Sequence, residues 1–244
     1  LLQGKSEVVC MKRKTISAVF SDLEGGYNNQ LWQENHRAAQ EQDVNLIVFE
    51  GRSIDNPGTD RQHNILYDLV YRFPCDGYFL LSAQISNYVD PARVQAFCEP
   101  LLRTGKPILS AGEHIAGTTS LLVDNKTGMD AMMDHLIEHH GYRRIAFVKG
   151  PERHHEAMER FESYRDALRR HGIPFDERLV QPGDFSPNAG YTAIGTLHKN
   201  GEFPIDCIVC ANDETAMGVY QYFRETAKLG TPLAPIRVTG FDNT

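Results

Sequence analysis

The run CIVCAND places Cys207 and Cys210 three residues apart, directly before Asn212 and Asp213. A Cys-x-x-Cys spacing is typical of a redox couple at a helix N-terminus or of half a zinc site. Here both cysteines lie in an apolar, β-branched run, which predicts a strand. Residues i and i+3 of a strand face opposite sides, and no second Cys or His pair completes a zinc site. We therefore expect two buried, reduced thiols.

Histidine pairs are the next candidates for metal chemistry. His135 and His139 have i, i+4 spacing with His140 beside them, but no His-Glu-x-x-His pattern accompanies them. We expect them on a solvated last helical turn. His154 and His155 follow a predicted strand, which puts them near a possible site. No nucleophile elbow or dinucleotide fingerprint follows a predicted strand. The sequence therefore predicts no catalytic residue, no metal and no cofactor.

A strand–helix rhythm that occurs twice must position these residues. Short, continuously apolar runs suit parallel strands buried on both faces. Amphipathic patterns at 125–139 and 153–171 predict helices between them, with Met129, Met132 and Met133 as core filler. Such alternation predicts the α/β class, with two doubly wound parallel-sheet lobes and a ligand cleft between them. The predicted strands are 15–20, 44–50, 76–82 and 107–111, then 143–150, 178–182, 205–211 and 235–240.

The carboxyl ends of these strands are the predicted binding site, because ligands of open parallel sheets bind there. The residues that follow the predicted strands carry mostly hydrogen-bonding side chains, together with two aromatic rings, Tyr27 and Phe185. Such a lining suits a small polar molecule that is hydroxyl-rich or planar. For any one residue the alternative is a helix cap, and Asp213 could cap the helix that follows it. The strand-end residues are Asp22 to Asn28, Ser82, Gly112-Glu113, Pro151 to Arg160, Asp184-Phe185, Asn212-Asp213 and Asp242-Asn243.

Composition argues against several classes of protein. The net charge of −7 disfavours direct nucleic-acid binding, which needs clustered Lys and Arg. No run of about 18 apolar residues predicts a membrane span. Residues 1–14 carry no signal-peptide pattern, so we expect a cytoplasmic protein. Five scattered cysteines indicate reduced thiols rather than a disulfide framework.

Four segments carry a family resemblance. They are VDNKTGMDAMMDHLIEHHGYRRIAFVKGPE (123–152), ERFESYRDALRRHGIPFDERLVQPGDFSPNAGY (159–191), CIVCANDETAMGVYQYFRE (207–225) and IRVTGFDNT (236–244). In order and spacing they resemble the ligand-sensing domain of lactose/galactose-repressor (LacI-type) regulators. The resemblance covers most of residues 14–244. It implies the fold of periplasmic sugar-binding proteins (type I), in which two α/β lobes close on an effector.

The resemblance also implies roles for individual residues. Arg160 matches an arginine that grips polar groups of the effector, and Asn212 matches the asparagine of an Ala-Asn-Asp motif. Asp242 matches the aspartate of a Gly-Phe-Asp motif, which accepts effector hydroxyls. Phe185 and Tyr27 occupy positions of stacking aromatic residues. With two strand-end residues added, the predicted ligand-binding set is Asp22, Tyr27, Ser82, Arg160, Phe185, Asn212 and Asp242.

Two features depart from the family pattern, and two further runs resemble one subgroup of the family. The family often has an aspartate at the end of the fourth strand, where this chain has Gly112. The family's helix-turn-helix would precede residue 14 and is not found in residues 1–13, so we expect the output to lie outside this sequence. The runs EGGYNNQLWQENHRAAQEQDVNLIVFEG and HNILYDL resemble the subgroup whose sensing domain is joined to histidine-kinase or diguanylate-cyclase outputs.

The expected function is a non-catalytic effector sensor that signals by lobe closure. The first-choice effector is a sugar and the second a purine or nucleoside, and the family's usual homodimer is expected. One alternative is a transport-type solute receptor for a sugar or nucleoside. Another is the sensor domain of a histidine kinase or diguanylate cyclase. A third, an enzyme of sugar or nucleotide metabolism, is disfavoured because no nucleophile–base pair stands out.

The predicted domain organisation has three parts: a lead-in at 1–13, an N-terminal lobe at 14–122 and a C-terminal lobe at 123–244. A receptor of this kind normally returns to its first lobe after the Gly-Phe-Asp strand. We therefore expect the natural chain to continue beyond Thr244. With four strands of its own, the first lobe would have an unfilled edge.

Overall fold

The computed structural model describes residues 13–24, 26–229 and 236–243. The predicted lead-in therefore lies outside the described residues, apart from Arg13. Within them, no helix is long and apolar enough to cross a membrane. The described chain forms two parallel sheets, one from each half, which confirms the predicted α/β class with two doubly wound lobes.

The first sheet has five strands in the order β2-β1-β3-β4-β5, all parallel. Parallel neighbours need crossover connections, which helices supply here for the first four strands. The strands are β1 (Thr15–Phe20), β2 (Asn45–Glu50), β3 (Gly77–Leu80), β4 (Ile108–Ala111) and β5 (Thr119–Leu121). The helices are α1 (Gly26–Glu41), α2 (Tyr67–Val70), α3 (Ser82–Ile85) and α4 (Pro91–Leu102), with a 3-10 segment at Thr59–Leu66.

Strand β5 is one more than the four strands predicted for this half. It pairs with β4 in parallel, with Leu109 opposite Thr119. Gly117 turns the chain into it at a φ of 85°, a conformation that glycine adopts without strain. Because the three residues of β5 are polar or exposed, they lack the apolar run that marks the other strands. Strand β5 covers the β4 edge of the sheet, which a four-stranded lobe would leave open.

The second sheet has four parallel strands in the order β7-β6-β8-β9. All four match predicted runs, although β7 has only two residues. The strands are β6 (Ile145–Val148), β7 (Val180–Gln181), β8 (Cys207–Cys210) and β9 (Arg237–Thr239). The helices are α5 (Asn125–Asp134), α6 (His155–Arg170), α7 (Pro187–Lys199) and α8 (Asp213–Lys228). A π turn at His135–His139 ends the α5 region, and a 3-10 turn at Glu177–Leu179 precedes β7.

The two cysteines of the Cys-x-x-Cys run lie on opposite faces of β8, as predicted. Cys207 packs with Met129 and Met133 on one face of the sheet, and Cys210 packs with Val219 on the other. Both thiols are fully buried and unbonded to other cysteines. Burial raises the pKa of Cys207 to about 12 and raises that of Cys210 as well. These are inert core thiols, not a redox pair.

The histidines at the end of the α5 region are exposed, as the prediction of a solvated last turn requires. The rings of His135 and His139 stack with centroids 4.9 Å apart, and Nε2 of His135 lies 3.1 Å from Nε2 of His140. Among the described residues, no group of three His, Cys, Asp or Glu side chains is arranged to hold a metal ion.

Helices α7 and α8 pack closely because two glycines let their backbones approach. A Cβ at Gly218 would fall far inside van der Waals contact with the carbonyl oxygen of Pro187. A Cβ at Gly190 would meet the carbonyl oxygen of Thr215 in the same way. This contact fixes the start of α8 at the carboxyl end of β8, where the cleft lies.

Candidate ligand-binding cleft

A cavity of about 840 Å³ lies between the two lobes, at the carboxyl ends of their strands. Its size is that of ordinary small-molecule sites. Both lobes contribute hydrogen-bonding side chains and aromatic rings to its wall. From the first lobe these are Asp22, Glu24, Tyr27, Asn28, Gln84 and Asn87; from the second, His154, Glu156, Arg160, Phe185, Asn212, Asp213, Glu214, Phe241, Asp242 and Asn243.

Two observations show that the lobes face each other closely across this cavity. Nε2 of His154 lies 2.9 Å from the carbonyl oxygen of Ala83 in the first lobe. Tyr27, also in the first lobe, has a raised pKa, mainly from burial and further from Glu156 and Asp242 of the second lobe. The described arrangement therefore brings residues of both lobes to one cavity and joins the lobes at His154 and Ala83.

Arg160 lies at the base of the cavity and is 3% exposed. Its Nε donates to Oδ1 of Asn125 at 2.8 Å, and its Nη1 donates to the carbonyl oxygen of Ala211 at 2.7 Å. Its Nη2 donates to Glu156 at 3.2 Å, and Nη1 lies 3.6 Å from Asp242. Most of its donors therefore hold the protein together, so Arg160 fixes the strand ends as well as facing the cavity.

The ring of Phe241 lies under the Arg160 guanidinium, with 4.0 Å between the ring centroid and Cζ. This is a cation–π contact to a guanidinium that is almost fully buried. A Cβ at Gly128 would lie 3.2 Å from the Phe241 ring, so this helical position of α5 leaves room for the ring. The contact orients the Gly-Phe-Asp turn that carries Asp242.

Asp242 presents its carboxylate to the cavity from a backbone position with a φ of 107°. Its side chain is 15% exposed. Burial raises the pKa of this carboxyl to about 7, with further raising by Asp213 and Glu156, while Arg160 lowers it. A carboxyl that titrates near neutral pH responds sharply to any ligand group that donates a hydrogen bond to it.

Asn212 caps helix α8, which was the role considered for Asp213. Its Oδ1 accepts the Thr215 N–H at 3.0 Å, and its Nδ2 donates to the carbonyl oxygen of Phe185 at 3.1 Å. The amide thus ties α8 to the loop after β7. Asp213 is instead the first residue of α8. The asparagine still faces the cavity and keeps one N–H for a ligand.

Phe185 lines the cavity from the loop between β7 and α7. Its φ of 70° is unusual for a residue other than glycine and is held by its neighbours. The ring meets the His154 imidazole edge-on at 5.0 Å between centroids. A Cβ at Gly150 would collide with the ring, so a glycine there leaves the space that Phe185 occupies.

Asp22 and Tyr27 line the cavity from the turn after β1 and the first turn of α1. Oδ1 of Asp22 accepts the Asn28 amide at 3.0 Å and the Glu24 N–H at 3.2 Å, and its Oδ2 accepts the Ser21 hydroxyl at 3.0 Å. Asp22 therefore organises the turn while facing the cavity.

Within the predicted ligand-binding set of seven residues, Ser82 alone is not on the described cavity wall, and of the other strand-end residues Gly112, Glu113 and Asp184 are also not on it. Ser82 is fully buried; its Oγ lies 2.7 Å from Ser110 Oγ and accepts the Glu113 N–H at 3.0 Å. Ser82 thus joins the start of α3 to the end of β4. At Gly112, with a φ of 102°, a Cβ would collide with Ala83. This close approach explains why a larger residue does not stand at the end of β4.

Several lining residues were not in the predicted set. Gln84 and Asn87 follow β3, and the strand-end rule points to that segment, yet the prediction took only Ser82 from it. Met132 lines the cavity while half-buried, whereas Met129 and Met133 are core residues as predicted. Helical spacing alone does not separate these three methionines. Phe241 lies inside the Gly-Phe-Asp motif and could have been included with Asp242.

Comparison with known proteins identifies the family. The family described as periplasmic binding proteins and sugar binding domain of LacI family matches residues 13–243. The chain belongs to this family. The ribose operon repressor of Escherichia coli (strain K12) is 34% identical over 230 residues, which are 94% of this chain and 65% of the repressor. The HTH-type transcriptional regulator AscG of the same strain is 25% identical over 220 residues, 90% of this chain and 61% of AscG. The chain thus spans less than two thirds of these regulators.

Solved structures agree in fold. A LacI family transcriptional regulator from Enterococcus faecium with bound ribose superposes with a TM-score of 0.73 at 21% identity, covering 94% of this chain and 78% of that one. The complex of transcriptional regulator CelR with cellobiose superposes with a TM-score of 0.74 at 24% identity, covering 95% of this chain and 69% of that one. The predicted family and fold are confirmed.

Proposed function

We propose that this chain is the effector-sensing domain of a LacI-type transcriptional regulator and that it binds a small sugar-like molecule between its lobes. The observation that carries the proposal is the interlobe cavity, whose wall combines polar groups and aromatic rings from both lobes. Polar groups that fix hydroxyls, beside rings that cover a flat face, suit a sugar. The name of the ribose operon repressor, the 34% identical relative, supports the same class.

The proposed division of roles follows the geometry. Asp242 accepts ligand hydroxyls, and Asn212 and Asp22 orient the ligand with their remaining donor and acceptor capacity. Tyr27 and Phe185 cover its apolar faces. Arg160 holds Glu156 and Asp242 in position and offers its remaining N–H. Because the lining comes from both lobes, a bound ligand favours the closed arrangement by its differential affinity for it.

The domain is proposed to be non-catalytic. His154 is the one imidazole on the described cavity wall. Both of its ring nitrogens are engaged: Nε2 with the Ala83 carbonyl and Nδ1 with the Ala157 N–H. A histidine so engaged is not placed to act as a general base. This supports a binding role over the alternative of a sugar-metabolising enzyme.

The proposed output is transcriptional, since the relatives named above are regulators and repressors. This favours a DNA-binding partner domain over the kinase or cyclase alternative, and over a transport receptor. The DNA contact would lie outside this segment, whose net charge is −7. A homodimer and a cytoplasmic location, as suits a DNA-binding regulator, complete the proposal.

Isothermal titration of the purified chain with ribose, other pentoses and hexoses, cellobiose, and adenosine tests the proposal. We expect saturable binding of at least one sugar, lost in Asp242→Ala and kept in Asp166→Ala. Asp166 is a matched carboxylate on α6 that does not line the cavity. Binding that is equal in both variants, or turnover of the ligand, would contradict the proposed site and function.

A further inference from the structure

The described wall of the cavity carries far more negative than positive charge. One guanidinium, Arg160, faces six carboxylates. They come from both lobes, so lobe closure brings like charges together across the ligand space. The six are Asp22, Glu24, Glu156, Asp213, Glu214 and Asp242.

The positive charge of Arg160 does not offset this excess of negative charge at the space where a ligand would lie. Arg160 shares its charge with Glu156 at 3.2 Å and Asp242 at 3.6 Å, and its remaining bonds go to Asn125 and Ala211. An acid group on a ligand would have to compete with Glu156 and Asp242 for the positive charge of the guanidinium. The single arginine is therefore a poor anion site, although it lines the cavity.

His154 does not supply a positive charge either. The Ala83 carbonyl can only accept, so Nε2 carries the proton. Nδ1 then accepts the backbone N–H of Ala157 at 3.3 Å, which requires the neutral tautomer. Burial lowers the pKa of this histidine to about 4, in agreement with the geometry.

The first-lobe wall adds an unsatisfied acceptor. Asn28 is 8% exposed and lines the cavity. Its Nδ2 donates to Oδ1 of Asp22, which fixes the orientation of the amide because an ionised carboxylate cannot donate. Its Oδ1 has no hydrogen-bond partner among the described residues, and neither does Oδ1 of Asn87. Both oxygens are almost fully buried, so they add negative potential behind the cavity wall rather than an exposed contact for a ligand.

We infer that this cleft selects a donor-rich ligand without an acid group, and that a protonated amine on such a ligand strengthens binding. The inference rests on the proposed function and narrows its ligand class to neutral or amine-bearing sugars and nucleosides. Sugar acids and sugar phosphates are expected to bind more weakly than their neutral counterparts. Glu24 and Glu214, which lie on opposite lobes, act as charge-selecting residues at the cavity wall.

Calorimetry with probes that differ only in charge tests this inference. The sets are glucose, glucosamine and glucuronate; ribose and ribose 5-phosphate; and adenosine and its monophosphate. Within each set that binds, the acid or phosphate should bind at least about tenfold more weakly than the neutral probe, or about 1.4 kcal/mol. The amine should bind at least as tightly as the neutral probe, with an advantage that shrinks in high salt.

The double variant Glu24→Gln/Glu214→Gln should reduce the difference between neutral and acidic probes severalfold. Glu162→Gln, on the exposed face of α6, removes the same type of charge away from the cavity and should leave the difference unchanged. Equal behaviour of the two variants would overturn the assignment of Glu24 and Glu214.

The outcomes separate the two proposals. An acid or phosphate that binds as tightly as its neutral counterpart, with Asp242→Ala abolishing both, would overturn the charge selection and leave the sensing function standing. Failure of every sugar and nucleoside probe to bind would contradict the proposed function, and this inference would fall with it.

Discussion

At the residue scale, Arg160 is the centre of the site because it pairs with the carboxylates of Glu156 and Asp242 and fixes a strand end. We predict that Arg160→Ala lowers the free energy of unfolding by about 3–5 kcal/mol, since it leaves Glu156 and Asp242 without a charge partner. It should also weaken ligand binding by about 1.5–3 kcal/mol. Urea denaturation measures the first effect and calorimetry the second.

Arg165→Ala is the matched control for this prediction. Arg165 lies on the same helix and pairs with Glu162 at 2.9 Å, but the pair is exposed. Such surface pairs contribute about 0–1 kcal/mol. If Arg160→Ala were as stable as Arg165→Ala, the buried network around Arg160 would not have the importance that its contacts indicate.

Asp242 makes a second prediction at this scale, through its pKa of about 7 against an ordinary value of 3.8. The folded state holds this proton more tightly than the unfolded chain. The stability that the Asp242 carboxyl contributes to the folded state is therefore fully present below its ordinary pKa of 3.8, and it is lost as pH rises through about 7. A ligand that donates a hydrogen bond to Asp242 binds the ionised carboxylate, so its binding is favoured at higher pH. We predict that sugar affinity rises by up to about tenfold per pH unit towards pH 7 and then levels off.

Calorimetry across this range, with a melting curve of the free protein at each pH, gives both slopes. Asp242→Asn should flatten the pH dependence of binding while lowering affinity, and Asp166→Asn should leave it in place. Affinity that falls with rising pH would mean that the ligand meets the protonated acid, contrary to the proposed role of Asp242 as acceptor.

At the element scale, the α7–α8 contact sets the position of the Asn212 cap and thus of the cavity wall. Helix propensity favours Ala over Gly by about 1 kcal/mol. At Gly218, however, a Cβ would collide with the Pro187 carbonyl oxygen, a backbone atom with no freedom to move aside. We predict that Gly218→Ala destabilises the protein by about 1–3 kcal/mol, because overpacking outweighs propensity.

Met217→Ala is the neighbouring control, because Met217 is 63% exposed on the same helix. Its effect should stay within about 0.5 kcal/mol. Chemical denaturation of the two variants decides the point. A Gly218→Ala variant that is more stable than the wild type would show that α7 moves aside at little cost.

The elements also show what the sequence could and could not supply. Buried strands such as β6 and β8 have continuous apolar runs in the sequence, so both sheets and a site at their strand ends were predictable. Strand β5 was not, since its three residues are polar or exposed and form no apolar run. The Ser82 hydroxyl bonds to Ser110 and Glu113, and such contacts between distant segments leave no periodic signal. Whether Asn212 or Asp213 caps α8 depends on a one-residue shift that spacing does not resolve.

At the scale of the whole molecule, the charge on the two lobes and the contacts between them act in opposite directions. Carboxylates of both lobes line the cavity, so closure without a ligand is opposed by repulsion. The His154–Ala83 hydrogen bond joins the lobes and favours closure. A ligand rich in hydrogen-bond donors relieves this repulsion, and its contacts with both lobes stabilise the closed state. In the proposed sensor, closure would therefore depend on the occupant of the cavity.

Substitutions of His154 can separate the effect of the contact between the lobes from the effect on helix stability, because its two ring nitrogens bond to different partners. Nδ1 caps α6 by accepting the Ala157 N–H, and Nε2 donates to Ala83 across the cleft. Asparagine is a strong N-cap but is too short to replace the contact with Ala83. We predict that His154→Asn keeps the melting temperature near that of the wild type. It should weaken sugar binding about two- to twelvefold, the value of one hydrogen bond of about 0.5–1.5 kcal/mol.

His154→Ala supplies the comparison, since alanine loses both the cap and the lobe contact. It should weaken binding about as much as His154→Asn but also lower stability by about 1 kcal/mol, the usual value of a cap. Small-angle scattering of the free and bound protein would show whether both variants shift towards the open arrangement when free. If affinity followed the melting temperature across the two variants, the loss of binding would come from local unfolding of α6. If instead both variants lose affinity while only alanine loses stability, the hydrogen bond to Ala83 contributes to closure itself.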